Sequence, residues 1–520
     1  MKKSYLLFII LFSVSTLFAQ YENIIIDNEG TPEEPSIMIN PNNPDQLVAG
    51  SNINNYYYSE DGGYNWTKGH LTSPEYGVWG DPCIIVDTAG SFYFLHLSSP
   101  QEGSWLDRIV SQKFDFSTYT WNNGSYMGLN GSKDQDKEWA VVDTSNNTIY
   151  VTWTQFDKYG SSNPNDSSII LFSKSTDAGE TWSDAKRINK IAGDCIDSDN
   201  TVEGAVPAVG PNGEVYVAWA GPEGIVFNRS LDAGDTWLEN DIFVSNQPGG
   251  WDYDISGINR ANGLPITCCD LSNSPYKGTI YVNWTDHRNG DTDTDVWIAK
   301  STDGGDTWSA PIRVNDDPAG KEQFFTWMTV DGANGDIYVV FYDRRNYTDN
   351  NTDVYIARSV DGGETFQNIL ISESPFLPFS SIFFGDYTNI TAYNGIVRPI
   401  WARLQNGDLS VLTAIIDFTV GTEEIQKETM APVTLQQNYP NPFTETTTLA
   451  FKLSDPSTIS LSVYDVTGRK VALLINNEHR NAGKYIEHFD ASQYQLKGGV
   501  YYFVLETGGI SKTQKILLVN

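Results

Sequence analysis

Basic residues are scarce in this chain. Its 520 residues hold 33 Lys and Arg against 66 Asp and Glu, a formal net charge of −33. That deficit argues against nucleic-acid binding, which needs clustered Lys and Arg against phosphate. It argues equally against docking on an anionic membrane surface. Cysteine is nearly absent: Cys83, Cys195, Cys268 and Cys269 are all there is, and their spacing fits no zinc pattern. Cys83 and Cys268 sit in apolar strand contexts, so buried thiols are expected; a link from Cys195 to Cys268 or Cys269 is the alternative. Histidine is rare too, with His70, His96 and His287 the three before residue 418. No Gly-rich phosphate loop, Ser nucleophile elbow or His-Glu-x-x-His pair is present. One apolar run stands out, Tyr5 to Phe18, after Lys2 and Lys3 and before Leu17-Phe18-Ala19-Gln20. It is too short for a membrane span and reads as a secretory signal over 1–20. The mature chain is therefore expected to be exported, with no transmembrane segment.

Aromatics, by contrast, make up 13% of the chain, with 15 Trp and 28 Tyr, and there are 44 Gly. This mix suits many short strands and tight turns. One short pattern recurs five times: Ser-x-Asp-x-Gly-x-x-aromatic. The copies are Ser59/Asp61/Gly63/Trp66, Ser175/Asp177/Gly179/Trp182, Ser230/Asp232/Gly234/Trp237, Ser301/Asp303/Gly305/Trp308 and Ser359/Asp361/Gly363/Phe366. Asp can accept hydrogen bonds from backbone N–H groups just ahead of it and close a turn. Gly supplies a positive φ, and the aromatic covers the turn. Asp61, Asp177, Asp232, Asp303 and Asp361 are thus read as structural.

The pattern ends a longer repeat. A short apolar strand is followed by one of the form Ile-Tyr-Val-x-Trp, as in Ile149 to Trp153, Val215 to Trp219, Ile280 to Trp284 and Ile337 to Phe341. A third strand runs into the Ser-x-Asp turn and a fourth leaves it. Four antiparallel strands per unit make a propeller blade. Units begin near Glu34, Asp81, Glu138, Glu203, Leu264, Phe325 and Asp386, which gives seven blades over 21–418, or six if the second unit is an insertion. The second unit lacks the full pattern but keeps Trp121. The seventh lacks a fourth strand, and Asn23-Ile-Ile-Ile-Asp27 is expected to supply it and close the ring. The five repeats resemble the Asp-boxes of sialidase-like β-propellers.

After a polar, acidic linker over 419–432, the texture changes again. Asn438-Tyr-Pro-Asn-Pro-Phe443, Val463-Tyr-Asp-Val-Thr-Gly-Arg469, Gly498-Gly-Val-Tyr-Tyr502 and the terminal Lys515 to Val519 follow in order. Residues 433–520 resemble the C-terminal sorting domain of type IX secretion cargo. The alternating strands predict a small β-sandwich. The resemblance implies passage through the periplasm and outer membrane of a Gram-negative bacterium, with the secretion machinery as partner, and release or attachment at the cell surface.

Topology narrows the search for chemistry. In a four-stranded blade the start of strand one and the end of strand two share one face, and the Ser-x-Asp turn lies on the other. The first face gathers Asp81, Glu138, Glu203, Asp386 and Tyr387 at strand starts, and Asp286-His287-Arg288 and Asp343-Arg344-Arg345 at strand ends. Arg260 precedes the fifth unit and Arg398 lies in the seventh. Paired carboxylates serve glycoside cleavage as proton donor and base or nucleophile. Arginines grip carboxylate-bearing sugars. Hence Asp81, Glu138, Glu203, Asp386 and Tyr387 are the catalytic candidates, and Arg260, Asp286, His287, Arg288, Asp343, Arg345 and Arg398 the substrate-binding ones. Asp286/Arg288 and Asp343/Arg345 recur at equivalent positions, so ion pairs that stiffen the ring are the competing reading. Asp291-Thr-Asp293-Thr-Asp295 sets oxygens at alternate positions, a candidate calcium loop without the Gly and closing Glu of an EF-hand.

Sialidases carry an Arg in a Phe-Arg-Ile-Pro-like motif before the first Asp-box. Here Arg108 is the first arginine of the chain, and that motif is missing. Asp386-Tyr387 matches the sialidase carboxylate–tyrosine pair by position only. The expectation is an exported propeller acting on glycans, a glycoside hydrolase using rim carboxylates. A non-catalytic polysaccharide- or protein-binding propeller and a polysaccharide lyase are the alternatives.

Overall fold

The computed structural model describes residues 21–418, 433–435, 438, 440–453, 456–481, 483–494, 496–507 and 510–519. The expected signal peptide and the 419–432 linker lie outside the described residues. The chain divides into two compact units, with the boundary between Asp417 and Phe418.

The first unit is built from antiparallel sheets of four strands, consistent with a β-propeller. The third sheet is representative: Asp134–Asp143, Thr148–Phe156, Ser168–Ser175 and Lys186–Arg187 pair in chain order. The second strand of each sheet reads as a nearly unbroken apolar run because neighbouring sheets cover both its faces. Thr148–Phe156 and Ile280–Asp286 are buried at every residue. Trp153, Trp219 and Trp284 recur in these runs and are fully buried. Truncating one such tryptophan would cost about 3–5 kcal/mol. The indole N–H groups still find partners: Trp153 Nε1 donates to Gln135 Oε1 at 2.7 Å and Trp284 Nε1 to Asp286 Oδ2 at 2.8 Å.

The remaining sheets follow the same plan. The first strands, Ser36–Ile39, Cys83–Val86, Asp134–Asp143, Glu203–Val209, Ile266–Cys269, Gln323–Val330 and Asn389–Tyr393, each touch the next in that order. Asn389–Tyr393 touches Ser36–Ile39 and closes the circle. The second repeat of the first unit is a complete sheet, whose outer strands Thr120–Trp121 and Ser125–Met127 both pair with Ile109–Asp115. The N-terminal strand Glu22–Asp27 pairs with Asp408–Asp417, as the sequence predicts.

The five Ser-x-Asp turns share one hydrogen-bond scheme. In the fourth, Gly305 N donates to Ser301 Oγ at 2.8 Å, Ser301 Oγ donates to Asp303 Oδ1 at 2.7 Å, and Thr307 N donates to Asp303 Oδ1 at 3.0 Å. Thr307 Oγ1 adds a bond of 2.6 Å to Asp303 Oδ2. Thr181, Thr236 and Thr365, or Asn65 in the first turn, do the same for Asp177, Asp232, Asp361 and Asp61. Those side-chain donors pull Asp177, Asp232 and Asp303 down to about 2. The carboxylates are occupied locally and close turns at the ends of the sheets away from the first-strand starts.

The second unit holds two sheets. One pairs Val433–Leu435, Thr446–Leu453 and Gly483–Asp490; the other pairs Lys470–Arg480, Ser457–Asp465, Gly499–Thr507 and Ile510–Leu518. Phe443, Leu449, Phe451, Leu461, Val463, Phe489, Phe503 and Leu505 form one core between them.

All four cysteines are free thiols, with Cys83 and Cys195 buried. Burial first of all raises the Cys83, Cys268 and Cys269 thiols. The Cys195 link offered as an alternative is absent among the described residues.

Candidate functional site

A cleft of about 290 Å³ opens where several first strands begin. Glu34, Asn52, Asp81, Asp136, Lys137 and Arg260 supply its polar lining, and Trp79, Trp105, Tyr159 and Phe383 its aromatic one. The backbone is unusual at the same places. Glu34, Asp81 and Lys137 have φ of 52°, 54° and 55°. Such left-handed conformations cost a non-glycine residue about 1–3 kcal/mol each and gather at functional sites. Equivalent positions in other sheets hold Gly204 at 75° and Phe325 at 51°. Pairing registers slip between Asp136 and Trp139, Glu203 and Val206, and Phe324 and Trp327. These are bulges in the first strands, which re-aim side chains. In the third sheet the bulge sends Lys137 into the charge cluster.

Lys137 Nζ lies 3.3 Å from Asp81 Oδ2 and 3.2 Å from Asp386 Oδ2. Arg260 Nη2 also binds Asp386 Oδ2, and Arg260 Nη1 lies 3.4 Å from Asp197 Oδ2. A short ribbon, Asp252–Tyr253 paired with Ala261–Asn262, carries Arg260 there, and Asn262 Nδ2 donates to the Asp386 carbonyl at 2.8 Å. Asn52 Oδ1 accepts from Asp81 N at 2.8 Å, while Asn52 Nδ2 donates to Glu34 and, at 3.3 Å, to Glu33. Tyr159 donates its hydroxyl to Asp197 Oδ2 at 2.5 Å.

Acids outnumber cations here, and burial drives the excess toward the neutral form. Burial, then Asp81, push the Asp136 carboxyl up to about 7. Burial, then Asp386 and Asp81, push Glu33 up to about 8. Burial holds Glu34 well above the usual carboxylate range. Asp386 goes the other way: burial opposes its charge, but Lys137 and Arg260 hold it below that range. Burial opposes the Lys137 charge as well, yet Asp386 and Asp81 keep it firmly protonated. Environments that push neighbouring carboxyl groups apart in this way are how acid and base roles are separated.

Asp81 and Arg260 of the expected set line the cleft, and Asp386 stands just behind it. Glu138 and Glu203 do not reach it. Both are about 1% exposed, burial raises both well above the carboxylate range, and neither oxygen of Glu138 has a hydrogen-bond partner among the described residues. Tyr387 lines a separate cavity of about 20 Å³ beneath Lys137. Burial and then the Asp81 and Glu34 charges keep its phenol protonated. Its ring packs 5.2 Å from Trp139, which sits 4.3 Å from Trp327.

The rim candidates lie elsewhere. Arg288 is spent on Asp286 at 2.9 Å and stacks 4.3 Å over Trp297. Arg345 is spent on Asp343 at 2.8 Å, stacks 4.3 Å over Tyr355, and reaches Asp316 of the preceding repeat at 2.5 Å. His287 packs 4.5 Å from Tyr253, and burial lowers its imidazole. None of these lines the cleft. Arg398 lies at the opposite end of the sheets: it is 4% exposed and donates to the carbonyls of Gly62, Val397 and Ile416 at 2.7, 2.9 and 2.8 Å. It latches the last sheet to the first Ser-x-Asp turn. In the candidate calcium loop, Asp293 accepts from Gly320 N at 2.6 Å and Asp295 from Asn289 and Asn315. Among the described residues no group of three or more His, Cys, Asp or Glu is arranged to hold a metal.

Sequence reasoning missed Glu33, Glu34, Asp136, Lys137, Asp197, Trp79 and Trp105. Glu34-Pro35 and Asp81-Pro82 open successive units and were a usable signal for the pair. The bulge that exchanges Glu138 for Lys137 leaves no pattern in one sequence.

No curated protein matches the chain. Among solved structures it is similar to a Hadza microbial sialidase, at 15% identity over 73% of this chain and 75% of that one, with a TM-score of 0.41. It is similar to an ulvan lyase of a polysaccharide lyase family, at 12% identity over 76% and 96%, TM-score 0.47. It is also similar to an α-L-arabinofuranosidase of Fusarium graminearum, at 12% identity over 77% and 98%, TM-score 0.41. No described helix is long and apolar enough to cross a membrane. Residues 437–519 match the secretion system C-terminal sorting domain, and this part of the chain belongs to that type IX family.

Proposed function

We propose that the chain is an exported glycoside hydrolase built on a seven-bladed, sialidase-like β-propeller over 21–418. Glu22–Asp27 closes the ring as the outer strand of the seventh blade. Residues 433–520 form a β-sandwich sorting domain that directs passage from the periplasm across the outer membrane of a Gram-negative cell, after removal of a signal peptide over 1–20. The reading rests on one observation: a single cleft, flanked by half-exposed Trp79 and Trp105, holds a carboxyl raised to about 7, Asp136, near an ion-paired carboxylate, Asp81. Flat aromatic faces suit sugar rings, and the two carboxyl states suit the two halves of glycoside cleavage. Asp136 gives its proton to the glycosidic oxygen as the bond to the anomeric carbon breaks. Asp81 takes the proton of the water that attacks that carbon.

A uronate lyase is less well supported, because it needs a cation free to neutralise the sugar carboxylate, and Lys137 and Arg260 are both engaged. The test is release of reducing ends from a polysaccharide panel by the full chain. Activity on at least one substrate should fall as pH rises through about 7, since the donor must keep its proton. Asp136→Asn should lower the rate by about 100-fold or more. Binding without any release of reducing ends would favour the non-catalytic reading instead.

A further inference from the structure

Glu34, Asp81 and Asp136 line the cleft with two cations, Lys137 and Arg260, and Glu33, Asp197 and Asp386 stand behind them, within reach of Asn52, Arg260 and Lys137. Both cations already contact carboxylates: Lys137 holds Asp81 and Asp386, and Arg260 holds Asp197 and Asp386. An incoming sugar carboxylate would therefore meet acids on every side and no uncommitted partner. Like charges brought together in a desolvated site cost several kcal/mol. One proton is shared. Glu34 is 2% exposed and lines the cleft; its Oε1 receives no N–H or hydroxyl donor among the described residues, and its protonated carboxyl bonds the Asp386 carboxylate instead. A buried proton held between two carboxyl groups marks a site one cation short, and a charge-assisted bond is the strongest donor contact open to it.

We infer that the cleft selects glycans bearing a protonated amino group, unacetylated amino sugars, over neutral and acidic ones. This rests on the glycan reading above and adds the class of sugar. An ammonium on the ring displaces the proton that Glu34 otherwise keeps and pairs with the carboxylate so formed, while Trp79 or Trp105 covers the ring face.

The experiment is a tryptophan-fluorescence titration of the full chain with three oligosaccharides of equal length: glucosamine, N-acetylglucosamine and galacturonate oligomers. The glucosamine oligomer should bind about ten-fold tighter or more than its acetylated counterpart, with the uronate weakest. Glu34→Gln should remove most of that preference, weakening the glucosamine oligomer far more than the acetylated one, because the amide keeps the size and a donor but not the charge. Asp303→Asn changes net charge equally on a Ser-x-Asp turn away from the cleft and should leave the preference unchanged. Equal loss in both variants would mean that the overall acidity of the chain attracts the amine, and would overturn the inference. Equal affinity for amine and acetylated forms, with both weakened by Trp105→Ala, would overturn the charge selection and leave the glycan cleft standing. If no oligomer changes the fluorescence or competes at the cleft, the glycan reading fails and the inference with it.

Discussion

Asp136→Asn should make the first unit more stable at about pH 8.5, by on the order of 3–4 kcal/mol, while abolishing the proposed glycoside cleavage. The sign follows from the proton. Unfolded Asp releases its proton near the ordinary value of about 4, whereas in the fold burial and Asp81 hold it to about 7. The native state therefore binds more protons between those values, and stability falls as pH rises through that window. Above about 7 the penalty is complete, at roughly three pH units of differential binding. Asn keeps the acceptor for Lys137 N, now 2.9 Å from Asp136 Oδ1, and carries no charge to desolvate. The gain should shrink toward zero below about pH 4, where Asp is neutral in both states. Calorimetric midpoints of variant and parent across pH would read this out. A variant less stable than the parent at high pH would mean that Asp136 is ionised and well paired in the fold. Raised stability with lost function is the usual mark of a site that holds groups against their preference.

Lys137→Met is the opposite case and should cost about 3–5 kcal/mol near neutral pH. The ammonium is the shared partner of Asp81 and Asp386, and its side chain is 8% exposed. Removing it strands Asp81 and leaves Asp386 to Arg260 alone. The folded value of Lys137 is raised, so its contribution is fully present below about 10 and is lost as pH rises through that folded value. Asp386 is depressed, so its contribution is present above about 4 and is lost as pH falls through its folded value. Between those limits the full effect should be seen in denaturant midpoints. Lys137→Gly removes the same charge but accepts the 55° φ without strain, and should be about 1 kcal/mol less damaging than Lys137→Ala. Loss below about 1 kcal/mol in Lys137→Met would show that the surrounding acids simply take up protons in its place.

The architecture was legible because its signals are periodic. Five Ser-x-Asp turns and the Ile-Tyr-Val-x-Trp strands recur in register, and the unpaired Asn23 to Asp27 segment had one place to go. The turns also carried more than the pattern took from them: the Thr or Asn four residues after each Asp is its side-chain donor. The site was half legible. Asp81, Asp386 and Arg260 were placed by asking which residues open first strands or precede them. Glu138 and Glu203 were chosen by the same rule and are buried outside the cleft, Glu138 within the bulge between Asp136 and Trp139 and Glu203 just ahead of the next one. Arg398 was placed in the correct repeat but lies at its other end, against the first Ser-x-Asp turn. Asp286 with Arg288 and Asp343 with Arg345 recur because each arginine lies against its own sheet's carboxylate and aromatic ring. Trp79, Trp105 and Asp197 come from loops, where no period marks them.

The most direct test of the central claim is a crystal structure of Asp136→Asn soaked with the oligosaccharide that binds most tightly in titration. The expected result is a sugar ring against Trp79 or Trp105, with its glycosidic oxygen about 2.6–3.2 Å from the residue-136 side chain and Asp81 beside the anomeric carbon. A sugar bound on the rim at Asp286 and Arg288, or on the outer edge of a sheet, with the cleft empty, would contradict it.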